Sequence, residues 1–279
     1  MTPVKAPEFI LFDLDETLYP SSNGLMSLIR DRIVEYMVVR LGWARDEAEE
    51  RRQRYVSEYG VTLDGLQKLH GVDVDDYMEY VHAVPHSKYI QPNPALDGML
   101  GRLRPSKAIF TNASQSHARR VLSALGVSTS HFECIFDFEA AGYCPKPDPE
   151  AYRRILARLG ARGDQCMLVE DNLRNLQTAK SMFGMTTVLV NKRGCGAKGQ
   201  ADTTIQADPP TQADTPTWAG AAEPSTPMQS DSTQADLVID DILQLEQALA
   251  NLCPVGQGFR GSCVNRHSPP CRQCRRHAG

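Results

Sequence analysis

Short apolar runs recur along the chain, and polar residues follow directly after each of them. The runs are Phe9–Phe12, Ala108–Phe110, Cys166–Val169, Thr187–Val190 and Leu237–Ile239. Continuous apolar runs of this length are typical of strands that are buried on both faces of a sheet. The pattern therefore predicts five core strands.

Amphipathic helical segments alternate with several of these runs. Two clear examples are HARRVLSALG, from His117 to Gly126, and PEAYRRILARLG, from Pro149 to Gly160. Each ends on glycine, the usual residue after the last turn of a helix. Strands that alternate with helices indicate an α/β fold, in which helices cover both faces of a Rossmann-like parallel sheet.

Residues 21–95 depart from this alternation, because they contain helical patterns in succession. Apolar residues recur at helical spacing at Leu25, Leu28, Ile29, Ile33, Tyr36, Met37 and Leu41. Two further segments, ARDEAEERRQRYVSEY and DVDDYMEYVHAV, also have helical character. We interpret 21–95 as a helical cap domain inserted after the first strand, where it could close over a site. The alternative is an irregular helical excursion.

Composition and charge restrict the class of protein. The chain has 279 residues, of which 41% are hydrophobic and 23% are charged, and its formal net charge is -4. These values are typical of a globular chain with a sizeable core. We expect no membrane span, because no apolar run approaches ~18 residues. The first ten residues lack the apolar stretch of a signal peptide, and we expect a cytoplasmic protein. The charge gives no reason to expect a nucleic acid polymer as partner.

Two segments differ in composition from the rest. Residues 194–234 are rich in Ala, Asp, Thr, Gln and Pro, and the triplet Gln-Ala-Asp recurs at Gln206, Gln212 and Gln234. Such a segment has little to bury, and we predict a disordered, low-complexity insertion. The core domain is then expected to comprise 1–20, 96–193 and 235–252.

The tail, 253–279, combines cysteines with basic residues. It carries four cysteines (Cys253, Cys263, Cys271 and Cys274) and five arginines without an acidic residue. Only one CxxC pair is present, whereas a zinc site usually takes two. We favour a disordered tail over a metal site or a weak anion-binding segment. The remaining four cysteines are expected to be reduced.

Polar residues at the predicted strand ends are the main clue to chemistry, because ligands of open α/β sheets bind beyond the carboxyl ends of the strands. After the first strand, FDLDETLYP places Asp13 and Asp15 two residues apart. Such carboxylates can act separately as nucleophile and as general acid/base. A DxD alone is equally compatible with a turn or a metal ligand. The preceding apolar strand and Thr17 strengthen the catalytic interpretation.

Three other segments have polar residues with two possible roles each. Thr111 and Asn112, in FTNAS, suit either phosphate oxygens or a helix N-cap. Lys146, between two prolines, is either a fixed positive charge or a solvated loop residue. Glu170 and Asp171 end the strand CMLVE and suit either a hard cation or the cap of the next helix.

Taken in order, DxDxT, T-N, K-P and E-D resemble the motifs of the haloacid dehalogenase superfamily. The resemblance covers about Glu8–Asn191 and resumes at Ala235–Leu249. Within that superfamily Asp15 favours the phosphatase branch, because true dehalogenases lack the second aspartate. The cap stretches YGVTLDGL and VHAVPHSKYIQPNPAL, with FTNASQSHARRVLSALG, look similar to the pyrimidine 5'-nucleotidase group. The sequence departs from that group at Glu16, where the group often has Asn, and in the insertion and tail.

The resemblance implies a role for each matching residue. Asp13 would attack phosphorus, and Asp15 would act as general acid and base. Mg²⁺ would be held by the Asp13 carboxylate, the backbone carbonyl of Asp15 and the Asp171 carboxylate. The phosphate oxygens would be bound by Thr111, the backbone of Asn112 and Lys146. Glu170 would contact the residues that bind metal and phosphate without binding either itself, and Asn175 would orient Asp171.

The function expected from the resemblance is Mg²⁺-dependent hydrolysis of a small phosphate ester, with UMP and CMP as preferred substrates. One alternative is another small ester, such as phosphoglycolate or a sugar phosphate. A second is a catalytically weak regulatory binding protein, against which the four intact catalytic positions argue. Candidate readers of the leaving group are Tyr19, Ser22, Asn23 and the stretch from His82 to Tyr89. For His82 and His86, ordinary cap packing is the favoured alternative. The sequence does not decide the oligomeric state.

Overall fold

The computed structural model describes residues 6–191 and 235–252. The predicted disordered insertion at 194–234 and the predicted tail at 253–279 lie outside the described residues. Within the described ranges, the fold consists of one parallel sheet, the helices around it, and a run of helices between its first two strands.

The sheet has six strands in the order β3-β2-β1-β4-β5-β6, and every neighbouring pair is parallel. The strands are β1 (Phe9–Phe12), β2 (Ser106–Phe110), β3 (Cys134–Phe136), β4 (Cys166–Glu170), β5 (Thr186–Val190) and β6 (Leu237–Ile239). The α/β fold class predicted from the sequence is confirmed. The first strand lies at the centre, where the order of the strands reverses, and this is where open α/β sheets bind their ligands.

Ten α-helices accompany the strands in the described ranges. They are α1 (Leu25–Leu41), α2 (Arg45–Tyr59), α3 (Thr62–His70), α4 (Val74–Val81), α5 (His86–Tyr89), α6 (Pro94–Arg102), α7 (Gln115–Leu125), α8 (Pro149–Leu159), α9 (Leu173–Phe183) and α10 (Leu245–Leu252). Short 3₁₀ turns occupy Ser21–Asn23, Thr129–His131, Gly163–Gln165 and Ile242–Gln244. Helices α7 and α8 coincide closely with the two amphipathic segments predicted from the sequence.

Strand β3 is the one sheet element that the apolar pattern does not predict. It has only three residues, and Phe136 alone among them is fully buried. It lies at the edge of the sheet, beside β2. A three-residue edge strand has no continuous buried run, so hydrophobic pattern does not separate it from a loop.

Alternating side chains of the strands pack into two clusters, one on each face of the sheet. In β1, Ile10 and Phe12 belong to one cluster and Leu11 to the other. In β4, Met167 and Val169 likewise belong to the first cluster and Leu168 to the second. This period of two, with both faces buried, is why the central strands are apolar throughout.

The helices between β1 and β2 have a cluster of their own. Tyr36, Met37, Tyr55, Leu66 and Tyr77 are among its buried members. The first turns of α1 do not belong to it, because Leu25 and Ile29 pack in a cluster of the sheet. Helix α6 also packs there, through Leu96, Met99 and Leu100. The insertion is therefore helical as expected, whereas the domain boundaries at 21 and 95 stay a prediction.

Candidate active site

Asp13 is held rigidly at the carboxyl end of β1. Its backbone N–H donates to the carbonyl of Val169 at 2.9 Å, which continues the pairing with β4 past the end of the strand. The Thr17 hydroxyl donates to Asp13 Oδ2 at 2.9 Å. Asp13 and Thr17 are both buried. The DxDxT spacing thus places the threonine beneath the first aspartate and fixes one of its oxygens.

Lys146 connects the loop after β3 to the ends of three strands. Its Nζ lies 2.7 Å from Asp13 Oδ1, 2.8 Å from Glu170 Oε2 and 2.7 Å from the carbonyl oxygen of Phe110. Only 2% of the residue is exposed. Burial opposes the charge of Lys146, but Asp13 and Glu170 outweigh burial and raise the pKa of the lysine above its ordinary value. Lys146 is therefore a buried permanent cation and not a solvated loop residue.

Thr111 and Asn112 come directly after β2, the strand that lies beside β1 in the sheet. Thr111 is buried, and its Oγ1 accepts a hydrogen bond from the N–H of Ala113 at 3.0 Å. The Asn112 side chain bonds to the backbone of Lys146. Helix α7 begins shortly afterwards, with Ser114 as its side-chain cap. Ser114 thus caps this helix, and Thr111 and Asn112 are not its N-cap. The other predicted role of Thr111 and Asn112, binding of phosphate, stays a prediction.

Three acids meet at the ends of β1 and β4. Oxygen atoms of Asp13, Glu170 and Asp171 lie within 4.8 Å of one another. Glu170 is the most constrained of them, because Oε2 contacts Lys146 while Oε1 accepts from the N–H of Asn172 at 3.2 Å and from Asn175 Nδ2 at 2.9 Å. The Asn175 side chain, expected at Asp171, thus contacts the neighbouring acid.

The donor set suits a hard divalent cation such as Mg²⁺, which prefers carboxylate and carbonyl oxygen. Both carboxylate oxygens of Glu170 are already engaged, whereas Asp171 is only partly buried. Asp171 is therefore the more accessible of the two adjacent acids, and Asp13, whose oxygens contact Lys146 and Thr17, would bind a cation in addition to those contacts. Burial raises the pKa of Asp13 to about 6, in spite of Lys146, with Asp171 adding to the rise. Negative charge concentrated in this way is stabilised by a bound cation.

Asp15 has surroundings of a different kind. Tyr19 Oη donates to Asp15 Oδ1 at 2.6 Å, and His117 Nε2 lies 2.8 Å from the same oxygen. Burial alone would raise the pKa of the Asp15 carboxyl, but the charge of His117 and the hydrogen bonds from His117 and Tyr19 lower it to about 2. Burial and the adjacent carboxylate raise the pKa of Tyr19 far above its ordinary value, so its hydroxyl remains a donor.

Three buried histidines form a cluster beside Asp15. His86 Nε2 is 3.0 Å from His117 Nδ1. The ring of His82 stacks on that of His117, with 4.2 Å between centroids and 26° between planes. His82 and His86 come from the helical insertion and His117 from α7. The sequence indicates none of these contacts, because 102 positions separate His117 from Asp15.

Three of the candidate readers of the leaving group, Tyr19, Asn23 and Tyr89, lie beside a cavity. Tyr19 and Asn23 line a cavity of about 280 Å³ together with Tyr89 and Pro92.

None of the helices in the described part of the chain has the length and apolar character that crossing a membrane requires.

Acids and a buried lysine thus meet at the carboxyl edge of a parallel sheet, where α/β enzymes place their active sites. Residues 8–182 match the model of the haloacid dehalogenase-like hydrolases. This match covers more than half of the chain, which belongs to that family.

Comparison with individual proteins agrees with the family. The chain is 29% identical over 205 residues to Phosphate metabolism protein 8 of Saccharomyces cerevisiae, a match that covers 67% of this chain and 62% of that protein. It is 27% identical over 191 residues to the Phosphoglycolate phosphatase of Rhodospirillum rubrum, covering 63% of this chain and 76% of that protein. Among solved structures, the phosphatase of this family from Thermococcus onnurineus superposes with a TM-score of 0.54 at 21% identity, over 87% of this chain and 97% of that one. This last similarity concerns the fold.

Proposed function

We propose that the protein is a Mg²⁺-dependent phosphomonoester hydrolase that acts through an aspartyl-phosphate on Asp13. The observation that carries this proposal is the contact of Lys146 with Asp13 Oδ1, next to a second aspartate held separately. A nucleophile paired with a fixed cation, and an acid/base two residues away, suit two-step phosphoryl transfer. A regulatory binding module would need none of this.

In the first step, a carboxylate oxygen of Asp13 forms a bond to phosphorus, and the bond from phosphorus to the ester oxygen breaks. Asp15, in its protonated form, gives its proton to the departing oxygen, which leaves as an alcohol. The pKa of Asp15 is low in the free protein, and the negative charge of a phosphate bound beside it raises that pKa. Proton delivery to a poor leaving group accounts for a factor of about 10² to 10⁴.

In the second step, water attacks the phosphorus of the aspartyl-phosphate while Asp15 accepts a proton from that water. The bond to Asp13 breaks, so inorganic phosphate and the original carboxylate are recovered. Thr111, the backbone of Asn112 and Lys146 would bind the phosphate oxygens as their charge redistributes. Mg²⁺, held by Asp13, the Asp15 carbonyl and Asp171, would supply positive charge that offsets repulsion between nucleophile and phosphate.

For the substrate, we propose pyrimidine nucleoside 5'-monophosphates, UMP and CMP. The support is the resemblance of the cap stretches to the pyrimidine 5'-nucleotidase group. A second candidate is another small ester such as phosphoglycolate, which is supported by the match to the Rhodospirillum rubrum enzyme. Both candidates use the same catalytic groups and differ in what the helical insertion accepts.

The test is kcat/KM for UMP, CMP, AMP, GMP, phosphoglycolate and a hexose phosphate at one Mg²⁺ concentration. We expect UMP and CMP to lead, by about 10 to 200-fold, since exclusion by pocket shape discriminates modestly. Asp13→Asn should abolish turnover, because an amide does not form the acyl phosphate. Wild-type turnover by Asp13→Asn would contradict the mechanism. A preference for phosphoglycolate or for purine nucleotides would contradict only the substrate assignment.

A further inference from the structure

The Asp15 carboxylate is bound on one of its two oxygens by two separate elements. The Tyr19 hydroxyl and His117 Nε2 both contact Oδ1, at 2.6 Å and 2.8 Å. Tyr19 is 3% exposed and His117 is fully buried. Two directional contacts to a single oxygen fix the rotation of a carboxylate about its own bond, and with it the direction of the second oxygen.

His117 is itself held from two sides by residues of the helical insertion. His86 Nε2 lies 3.0 Å from His117 Nδ1, so a hydrogen bond joins the two rings while Nε2 of His117 donates to Asp15. The ring of His82 lies flat against that of His117. His82 is fixed in turn by Ser114, whose Oγ is 3.3 Å from its Nδ1. The hydrogen bond made by one ring nitrogen determines what the other can do.

We propose that His117 is the positioning residue for the general acid/base, with Tyr19 as its partner. The two residues hold Oδ1 of Asp15, so that Oδ2 is the atom that carries the proton to and from the reacting oxygen. His86 and His82 keep the ring of His117 in place. This inference rests on the proposed function, because it assigns a role in the proton transfer of that same reaction.

The position of Asp15 matters only when the leaving oxygen needs a proton. A ribose alkoxide is a poor leaving group and depends on proton delivery, whereas nitrophenolate leaves as a stable anion. The value of kcat/KM reports the steps up to departure of the alcohol and is independent of later hydrolysis of the aspartyl-phosphate. The ratio of kcat/KM for the two kinds of ester therefore isolates the positioning of Asp15 from general damage to the site.

The experiment measures kcat/KM for p-nitrophenyl phosphate and for UMP, or the alkyl phosphate that ranks first in the panel, with Mg²⁺ present. His117→Leu should lose about 10²-fold on the alkyl ester, near the lower limit for general acid catalysis. On the nitrophenyl ester the loss should stay within about threefold. His117→Gln, whose amide can place a donor near the former Nε2, should recover much of the lost activity. Tyr19→Phe, which removes one oxygen atom, should show the same selectivity with a smaller loss, on UMP and on a simple alkyl phosphate alike, because Tyr19 also lines the cavity.

The matched control is His131→Leu. His131 Nε2 lies 2.7 Å from Asp97 Oδ1 in a second histidine–aspartate pair. His131 belongs to the 3₁₀ turn that leads into the amino end of β3 and Asp97 belongs to α6, whereas Asp15 lies beyond the carboxyl end of β1, so both esters should react as with wild type. Since His117→Leu replaces a buried residue, its thermal unfolding is measured first. If it does not fold, His117→Gln and Tyr19→Phe carry the test.

Equal losses on both esters, or no loss on either, would overturn the positioning role. A wild-type protein that hydrolyses neither ester would instead contradict the proposed function, and this result is distinguishable because it appears before any variant is made. A loss of kcat/KM that is confined to the alkyl ester, and that occurs in the variants but not in the wild type, supports both the positioning role and the proposed function.

Discussion

The side chain of Asn112 forms two hydrogen bonds to the backbone of Lys146. Its Oδ1 accepts from the Lys146 N–H at 2.8 Å, and its Nδ2 donates to the Lys146 carbonyl at 3.0 Å. A residue at the end of β2 thus fixes the loop that carries the buried cation. The neighbouring Lys146–Pro147 peptide is cis. The side chain of Asn112 therefore has a structural task, separate from the phosphate contact proposed for its backbone.

Asn112→Ala should lower kcat/KM at least about tenfold, because a small displacement of Lys146 weakens its charge at the reacting centre. Asn112→Asp keeps the acceptor and loses the donor, so its effect should be intermediate. Asn93→Ala is the control, since Asn93 also uses its side chain structurally, as the cap of α6. It should cost about 1 kcal/mol of stability and leave kcat/KM unchanged. Wild-type kcat/KM in Asn112→Ala would show that Lys146 needs no such support.

The sequence predicts which polar residues meet at the carboxyl edge of the sheet, because these residues directly follow apolar strands. Asp13, Glu170 and Asp171 lie together since parallel strands end at one edge. The surroundings of Asp15 are different. Its contact with His117 joins residues 102 positions apart, and no local periodicity encodes such a pairing. Hydrophobic pattern indicates which segments form buried strands, but it leaves open which polar side chains meet across the insertion.

Glu16 has a backbone conformation that is unfavourable for glutamate. Its φ is 61°, in the left-handed region that asparagine tolerates better than glutamate does. The pyrimidine 5'-nucleotidase group often has Asn at this position. Glu16→Asn should therefore raise the free energy of unfolding by up to about 1 kcal/mol. Glu16→Gln is the matched control, because it removes the charge and keeps the unfavourable conformation. If both variants were stabilised equally in denaturant titrations, charge and not backbone conformation would be the cause.

Gly65 allows α3 to pack against Tyr55 of α2. A Cβ at this position would lie 2.5 Å from Tyr55 Cγ, and the tyrosine is fully buried. The ring is also held by a hydrogen bond between its hydroxyl and His70 Nε2, at 2.8 Å. Gly65→Ala should therefore destabilise the protein by about 1 to 3 kcal/mol through overpacking.

The control for Gly65→Ala is another helical glycine, Gly98 in α6. A Cβ there would approach only the end of the flexible Arg102 side chain, at 3.3 Å. Gly98→Ala should leave the melting temperature unchanged or raise it, because alanine is favoured over glycine in a helix by about 1 kcal/mol. Equal effects of the two substitutions would show that the insertion is packed more loosely around Tyr55 than the structure indicates.

His86 should make stability depend on pH in the mildly acidic range. Burial, with the charges of His117 and Arg120, lowers the pKa of His86 to about 4, although Asp15 acts in the opposite direction. In the unfolded chain the value is about 6.5. Between these values the unfolded chain binds more protons, so the free energy of unfolding falls as the pH drops from about 6.5 towards 4.

A glutamine in place of His86 does not titrate. His86→Gln should therefore show a smaller decrease in the free energy of unfolding between pH 7 and pH 4.5, measured by denaturant titration at each pH. The lowered pKa of His82, also caused mainly by burial, leaves part of the dependence in place. His131→Gln is the comparison, because His131 is paired with Asp97 outside this cluster. An unchanged pH profile in His86→Gln would mean that the histidine cluster is not the source of the acid sensitivity.

The two adjacent acids at the end of β4 should differ in their effect on the metal requirement. Asp171 is proposed as a ligand, whereas both oxygens of Glu170 are occupied by Lys146, Asn172 and Asn175. Activity should disappear in EDTA and return with Mg²⁺, and Ca²⁺ should inhibit because it prefers more ligands in a looser geometry. Asp171→Asn should raise the Mg²⁺ concentration for half-maximal activity by about tenfold or more, since it removes a charged ligand. Glu170→Gln should lower kcat through Lys146 and leave that concentration nearly unchanged. The reverse result, with Glu170→Gln shifting the Mg²⁺ dependence and Asp171→Asn not, would move the cation to the buried side of the acid cluster.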